Sequence, residues 1–574
     1  MNFSYLKKNL KKDFSNCKKI KIAFLADSSS QFICQAIRGM AFEFGIDLNI
    51  FESDFNQIGN QIYDKNSELY EFNPEIVIIF QSAHKLLLKY NKSNNEEMYS
   101  LASNELNGIQ NYFNTLLQQL NAKVIYYNYT EIDDAVFGNF ANNTESSFLF
   151  QIRKLNYELM QMSVRNPNFY LCDISSIQNQ IGKSNIFQTS VYINTEMVFS
   201  IDALPMVASK TVDLIKALKG NFKKCVILDL DNTTWGGVIG DDGLENIHIG
   251  SLGIGKAFSE FQYWIKKLKN RGIIITVCSK NTEAIAKEPF EKHPDMILRL
   301  EDIAVFRANW NNKVDNIRYI QRVLNIGYDS MVFLDDNPFE RNIVREGILD
   351  ITVPELPSDP ADYLEYLYSL NLFETVSFSS EDAKRTKLYQ IEAERTSTQL
   401  NFTDENNFLQ SLNMQSVIAP FNKFNTPRVA QLSQRSNQFN LRTVRYTDND
   451  IVLMISSNNI FTFTFTLEDK FGDNGLVCVV VLKLKTENIL FIESWFMSCR
   501  VLKRGMENFV LNKLIDFAKQ KNIKMLESEY IPSSKNEIVD KHYFKLGFQE
   551  KSKNYWELNV KNYQTKECFI KLKK

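Results

Sequence analysis

Val226-Ile-Leu-Asp-Leu-Asp-Asn-Thr-Thr-Trp-Gly-Gly237 opens with three apolar residues and delivers two carboxylates, Asp229 and Asp231, just as the apolar run ends. The run reads as a buried parallel strand, and the glycines after it as a loop. Both acids then sit at the C-terminal end of the strand, the edge where open α/β sheets bind ligands. Burying two carboxylates together is costly, through desolvation and through like-charge repulsion. A divalent cation relieves both. The pattern recurs at Ser330-Met-Val-Phe-Leu-Asp-Asp-Asn-Pro338, where an apolar strand ends in Asp335 and Asp336. Two strand ends supplying four carboxylates make an oxygen ligand set suited to Mg²⁺ with some of its waters kept.

A third apolar strand, residues 273–278, runs into Ser279-Lys280-Asn281. A hydroxyl and backbone N–H groups ahead of a helix suit a phosphate, and Lys313, first residue of a helix predicted over 313–324, adds a cation. Further helices are predicted over 256–271 and 282–290, with a helix stop at Gly327. Upstream, strands at 20–26, 75–80, 123–127 and 169–172 alternate with helices at 31–44, 101–120, 146–164 and 208–218. That alternation implies a second parallel sheet with helices on both faces. Downstream of the acidic, Pro-containing stretch 353–362 come a helix (382–396), strands near 460–467, 476–484 and 489–496, a helix (505–520), a strand (523–529), a helix (536–546) and a strand (555–560). This last region is α+β with a largely antiparallel sheet.

A chain of 574 residues exceeds one ordinary core. The boundaries read as 1–219, 220–370 and 371–574, an α/β multidomain protein. Apolar residues are 44% and charged residues 23%, an ordinary globular balance. The net charge of −2 gives no field that would recruit nucleic acid or an anionic membrane. None of the eight cysteines forms a Cys-x-x-Cys pair, and the four histidines do not cluster at zinc spacing. Reduced thiols and a cytoplasmic location fit. No apolar run reaches the roughly 18 residues of a membrane span, and the run at 20–26 is too short and too late for a signal peptide.

Asp229-Leu-Asp-Asn-Thr233, followed in order by Ser279, Lys313 and Asp335-Asp336, resembles the motif set of the haloacid-dehalogenase (HAD) phosphatases over residues 222–370. The resemblance implies a Rossmann-like core. It makes Asp229 the nucleophile of an aspartyl-phosphate intermediate and Asp231 the general acid and base. It assigns Mg²⁺ to Asp229, Asp231 (through its backbone carbonyl) and Asp335, with Asp336 near, and phosphate binding to Ser279, Lys280 and Lys313. Thr234-Trp-Gly-Gly-Val-Ile-Gly-Asp-Asp-Gly243, Asn309-Trp-Asn-Asn-Lys313 and Leu334-Asp-Asp-Asn-Pro-Phe-Glu-Arg341 narrow it to the FkbH-like branch, although that branch commonly has Leu at the position of Thr234. The branch implies dephosphorylation of a small phosphorylated three-carbon metabolite. Its glyceryl group would pass to the phosphopantetheine thiol of an acyl carrier protein in polyketide-type biosynthesis. A stand-alone phosphatase and a non-catalytic phosphate-binding scaffold are the rival readings.

The N-terminal region resembles an SGNH hydrolase with a flavodoxin-like parallel sheet. Asp27-Ser28-Ser29 stands where that fold puts its serine, but Asp173-Ile-Ser-Ser176 lacks the expected histidine, so the domain reads as degenerate and Ser28 as a helix N-cap. The C-terminal region resembles a GNAT acyltransferase through Tyr543-Phe-Lys-Leu-Gly-Phe548. Its pyrophosphate loop would fall at Leu502-Lys-Arg-Gly-Met-Glu507, where Leu502 and Glu507 depart from the pattern. Arg500, Arg504 and Gly505 remain as contacts for a phosphopantetheine arm.

Overall fold

In the computed structural model the N-terminal alternation becomes a five-stranded parallel sheet. Its strands are β1 (Lys18–Ala26), β2 (Ile46–Glu52), β3 (Ile76–Phe80), β4 (Lys123–Tyr127) and β5 (Phe169–Cys172), in the order β2-β1-β3-β4-β5. The structure describes residues 1–120, 122–378, 382, 385–399, 402–533 and 535–573. They divide into two units, Met1–Lys216 and Ala217–Lys574. Strand β2 has no counterpart in the sequence reading. It is an edge strand, pairing only with β1, and its alternating Ile46-Asp-Leu-Asn carries half its residues to solvent. Ser28 does not cap the helix Gln31–Phe42. The cap position is Ser30, and the Ser30 hydroxyl donates to Glu52 at 2.6 Å instead. None of the described helices is long and apolar enough to cross a membrane.

The second unit holds two sheets. The first is four-stranded and parallel: β6 (Cys225–Leu228), β7 (Ile274–Ser279), β8 (Ile303–Ala308) and β9 (Met331–Leu334), in the order β8-β7-β6-β9. All four residues of β6 are fully buried, as expected of a parallel strand covered on both faces. The helix Lys313–Leu324 starts where Asn312 accepts the Val314 N–H at 2.8 Å. It stops at Asn325, whose left-handed φ of 50° closes it. The stop expected at Gly327 therefore falls two residues early, and Gly327 has an ordinary negative φ.

The second sheet contains β10 (Gln415–Ser416), β11 (Ile418–Ala419), β12 (Ile460–Asp469), β13 (Gly472–Thr486), β14 (Ile489–Met497), β15 (Met525–Glu529), β16 (Gln549–Ser552), β17 (Tyr555–Asn559) and β18 (Lys571–Leu572). Its long central pairs, β12–β13 and β13–β14, are antiparallel. Strands β14 and β15 run parallel only from the Ile489–Met525 pair to the Ile492–Ser528 pair, and then part. The residues Phe439, Asn440 and Leu441 fill the gap. Leu441 N–H donates to Trp495 O at 3.1 Å, Met497 N–H to Phe439 O at 3.0 Å, and Ile531 N–H to Leu441 O at 2.9 Å. The Arg442 guanidinium then reaches Glu493 on one strand and Glu529 on the other.

The helix read at 382–396 is observed as Arg385–Gln399, and residues 383–384 of the expected start lie outside the described residues. The helix read at 536–546 is shorter than expected. Glu537–Val539 forms a 3-10 turn, and the α-helix covers only His542–Leu546.

Candidate functional site

Strand register brings the two acidic motifs together. Leu228 pairs with Leu334 across β6 and β9, so the next residues, Asp229 and Asp335, emerge side by side. The Asp229 N–H donates to Leu334 O at 2.9 Å and continues the ladder one step further. Carboxylate oxygens of Asp229, Asp335 and Asp336 lie within 4.8 Å of one another. Asp229 is 7% exposed and Asp335 not at all.

Lys313 is 3% exposed. Its ammonium lies 2.9 Å from Asp229 Oδ1 and contacts Asp335 Oδ2 as well. A helix side chain leans toward the N-terminal end of its helix, which carries Lys313 onto the strand ends. Burial would lower this ammonium, but Asp229 and Asp335 hold it well above the usual lysine range. The carboxylates move the other way. Burial pushes Asp229 up, only partly offset by Lys313, with Asp336 adding to it. Burial and the Asp229 charge raise Asp335 to about 6. Burial and Asp335 raise Asp336 too. One lysine cannot balance three carboxylates. The residual negative charge on an all-oxygen donor set is what a hard divalent cation neutralises, and the residues present fit such an ion.

The Asp231 carboxylate is held apart from this trio. Its Oδ1 accepts from Trp235 Nε1 and from the Ile239 N–H, both at 3.0 Å, and its Oδ2 from Asn281 Nδ2 at 3.2 Å. Trp235, fully buried, thus orients an acid as well as packing against Phe290. The loop after β6 is shaped by Asn232, with φ 56°, whose Oδ1 accepts the Gly237 N–H at 2.9 Å.

Three supporting residues were not read from the sequence. Thr233 Oγ1 donates to Asp336 Oδ1 at 3.1 Å and accepts the Asp336 N–H at 2.9 Å. Thr234 Oγ1 donates to Asp229 O at 2.6 Å. Arg341 donates to the carbonyls of Asp335 and Asp336 at 2.8 and 2.7 Å. Their only signal was membership of the quoted motifs.

Ser279 lies buried at the C-terminal end of β7, next to the β6 edge. Lys280 turns to another partner, Glu340 Oε1, at 2.5 Å. Cys225 and Cys278 are fully buried thiols, both pushed up to about 12 by burial.

The other residues of interest sit within their own units. In the N-terminal unit Ser28 is buried, and its hydroxyl makes no hydrogen bond of good geometry. His84, pushed down to about 4 by burial and then by Lys183, packs its ring on Phe187 and Tyr192. In the C-terminal part Arg504 is committed to internal pairs with Asp469 (3.2 Å) and Glu392 and to the Arg500 carbonyl. Gly505, with φ 75°, is the cap residue of the helix Met506–Gln520. Arg500 is buried.

Comparisons with known proteins place the chain. The family described as FkbH, N-terminal domain, matches residues 21–216. Among solved structures, the N-terminal part of a Bacteroides fragilis protein, containing a phosphatase domain and complexed with Mg, is 55% identical. The match covers 66% of this chain and 100% of that one, with a TM-score of 0.64. The ribosomal-protein-S18-alanine N-acetyltransferase of Escherichia coli is 14% identical over 25% of this chain and 94% of that one, with a TM-score of 0.21. A spermidine N-acetyltransferase of Vibrio cholerae, in complex with CoA and spermine, is 12% identical over 26% of this chain and 96% of that one, also at 0.21. No curated protein matches the chain significantly.

Proposed function

The chain belongs to the FkbH-like family, and from that premise we propose that it is a magnesium-dependent phosphatase of the HAD type working through Asp229 and Asp231. The observation that carries the reading is the convergence of Asp229, Asp335, Asp336 and Lys313 on one strand edge, with Asp231 held separately beside them. Asp229, Asp335 and Asp336 would hold the Mg²⁺, with the Asp231 carbonyl completing the set. When bound, the ion offsets the charge of these carboxylates and of the incoming phosphate.

The residues divide the work. An Asp229 carboxylate oxygen attacks phosphorus, and the bond from phosphorus to the leaving oxygen breaks. Asp231 gives that oxygen its proton. The resulting aspartyl-phosphate on Asp229 is opened by water. Asp231, now ionised, takes a proton from the water as its oxygen bonds to phosphorus, and inorganic phosphate leaves with Asp229 restored. Trp235, Asn281 and the Ile239 N–H keep the Asp231 carboxylate oriented through both half-reactions. Lys313 sits against Asp229 Oδ1 and steadies the charge of the group in transfer. Ser279, at the neighbouring strand end, supplies a hydroxyl to the phosphoryl oxygens.

The finer reading is that the substrate is a small phosphorylated three-carbon metabolite whose glyceryl group passes to the phosphopantetheine thiol of an acyl carrier protein. In support, the loop between Gly237 and Ser279 inserts no large cap domain. It contributes only a four-residue helical turn, Ile239–Asp242, and the helix Gly253–Asn270, a small cap that would suit a bulky acceptor. The N-terminal unit, with Ser28 buried and Asp173-Ile-Ser-Ser176 lacking a histidine, would serve in binding rather than hydrolysis.

Phosphate release from p-nitrophenyl phosphate with Mg²⁺ tests the phosphatase, with Asp229→Asn as the control. Unchanged release by that variant would sink the site assignment. Mass-spectrometric loading of a carrier protein from phosphorylated three-carbon donors tests the transfer. Release without loading leaves the stand-alone phosphatase, and neither leaves the scaffold.

A further inference from the structure

At the opposite end of the four-stranded sheet, a cavity of about 580 Å³ opens between it and the C-terminal sheet. Lys224, Ile274 and Ser330, at the N-terminal ends of β6, β7 and β9, form part of its wall, and Phe439, Met497 and Arg500 part of the other. Along β6, Lys224 and Asp229 are separated by five residues, roughly 16 Å of strand. The cavity is therefore distinct from the carboxylate site.

Among the described residues its lining carries six Lys and Arg side chains against three carboxylates, Asp329, Asp350 and Asp473. Lys535 is neutralised by Asp329 at 2.6 Å. Arg385 and Arg435 share the single carboxylate of Asp382, at 3.0 and 3.2 Å. Among the described residues the Lys224 ammonium donates to a backbone carbonyl, that of Arg435, at 2.9 Å, and to no carboxylate. Arg500, 8% exposed, has no carboxylate partner among the described residues. Its Nε reaches only Ser498 Oγ at 3.3 Å, and its Nη1 is buried with no acceptor. Three more buried donors on the same lining lack an acceptor: Arg435 Nε, Asn474 Nδ2 and Ser436 Oγ. Burial and the neighbouring cations press Lys224 down to about 8, and burial, then Arg385, presses Arg435 down to about 9. An unpaired buried guanidinium costs several kcal/mol in ordinary structural terms. Such a cluster is kept where something else supplies the negative charge. The wall also offers apolar surface, from Ile274, Leu388, Leu432, Phe439 and Met497, with the Tyr389 ring under Arg500.

We propose that this cavity binds a small organic anion, a carboxylate or phosphate group on an apolar body, with Arg500 as the principal contact for its charge. The volume is that of a ligand pocket. The donors converge on an acceptor-only head group, and the aliphatic and aromatic wall takes the remainder. The site is independent of phosphatase chemistry and can be read with the catalytic metal removed.

The test is calorimetric titration of the full chain in EDTA with octanoate, octyl phosphate, inorganic phosphate and octylammonium. Octanoate or octyl phosphate should bind, whichever is tighter identifying the head group, while octylammonium does not. Arg500→Met should weaken binding about ten- to a hundredfold, the worth of a charge-assisted hydrogen bond. Leu432→Trp, which fills the cavity without touching the charges, should abolish it. In the absence of ligand Arg500→Met should melt no earlier than the parent, Leu432→Trp should stay folded, and both should keep the phosphatase rate. Four results would each overturn the proposal: no binding of either amphipathic anion, equal binding of octylammonium, inorganic phosphate binding as tightly as octyl phosphate, or affinity unmoved in both variants.

Discussion

Replacing Lys313 by Met removes the one positive charge that, among the described residues, is held against the buried acids, while keeping the side chain's length and apolar stem. Its ammonium lies 2.9 Å from Asp229 Oδ1 and equally bridges to Asp335. At an effective dielectric of about 20 a contact at that 2.9 Å distance attracts by roughly 6 kcal/mol. The desolvation of a 3%-exposed ammonium takes back a large part of two such contacts. The net loss on breaking a buried pair is about 3–5 kcal/mol. Urea unfolding at neutral pH should show that loss when the protein is held in EDTA. With saturating Mg²⁺ most of it should return, because the ion neutralises the same three carboxylates. Phosphatase turnover should stay low in both conditions. A loss below about 1 kcal/mol in EDTA, or one of the same size with and without Mg²⁺, would refute the claim that Lys313 serves as the counter-ion of this cluster.

Asp231→Asn should cut turnover of an alkyl phosphate by about 10²–10⁴ and spare the first half-reaction of an aryl phosphate, seen as a burst in rapid-quench kinetics. Thr233→Val breaks both contacts to Asp336. A loss of 10- to 100-fold in Mg²⁺ affinity is expected with little change in melting temperature, and isothermal titration reads it directly. Asp27, 7% exposed, is raised from 3.8 to about 6 by burial, against its hydrogen bond from Ser82. A folded-state pKa above the unfolded one means that stability falls as pH rises from about 4 to 6, and the penalty is complete above that. Asp27→Asn should therefore stabilise the protein by about 2–3 kcal/mol at pH 8 and by almost nothing at pH 4. Equal gains at both pH values would show that charge is not the cause.

What was legible in the sequence follows from which forces are local. The strand Met331–Leu334 and the helix Lys313–Leu324 were read to the residue. The first is a pure apolar run ended by two acids, and the second a 3.6-period pattern behind an Asn cap. Strand β8 escaped notice because Ile303-Ala-Val-Phe-Arg-Ala308 follows a short 3-10 turn without a glycine or proline to mark it. The helix stop slipped from Gly327 to Asn325 because asparagine tolerates left-handed backbone nearly as a turn residue should. At the site, the spacing of motifs announced Asp229, Asp335 and Lys313, since each sits at the end of a readable element. It could not announce that Lys280 would face Glu340, or that Trp235 would bond Asp231. Those depend on how a helix and a loop fold back, and no short-range pattern encodes that. The same holds for the cavity, whose walls come from residues more than 300 positions apart, Lys224 and Lys535 among them.

The segment Phe439–Leu441, seated between β14 and β15, amounts to an occupant the chain supplies to itself. The backbone donors and acceptors that two diverging strands would offer to an extended visitor are already spoken for. Any extended chain seeking that slot competes with a resident whose effective concentration is set by its own tether, in the millimolar range or above. Admission then requires the Arg442 bridge between Glu493 and Glu529 to open as well. An extended guest at that slot would therefore bind with an affinity discounted by the free energy of displacing the segment.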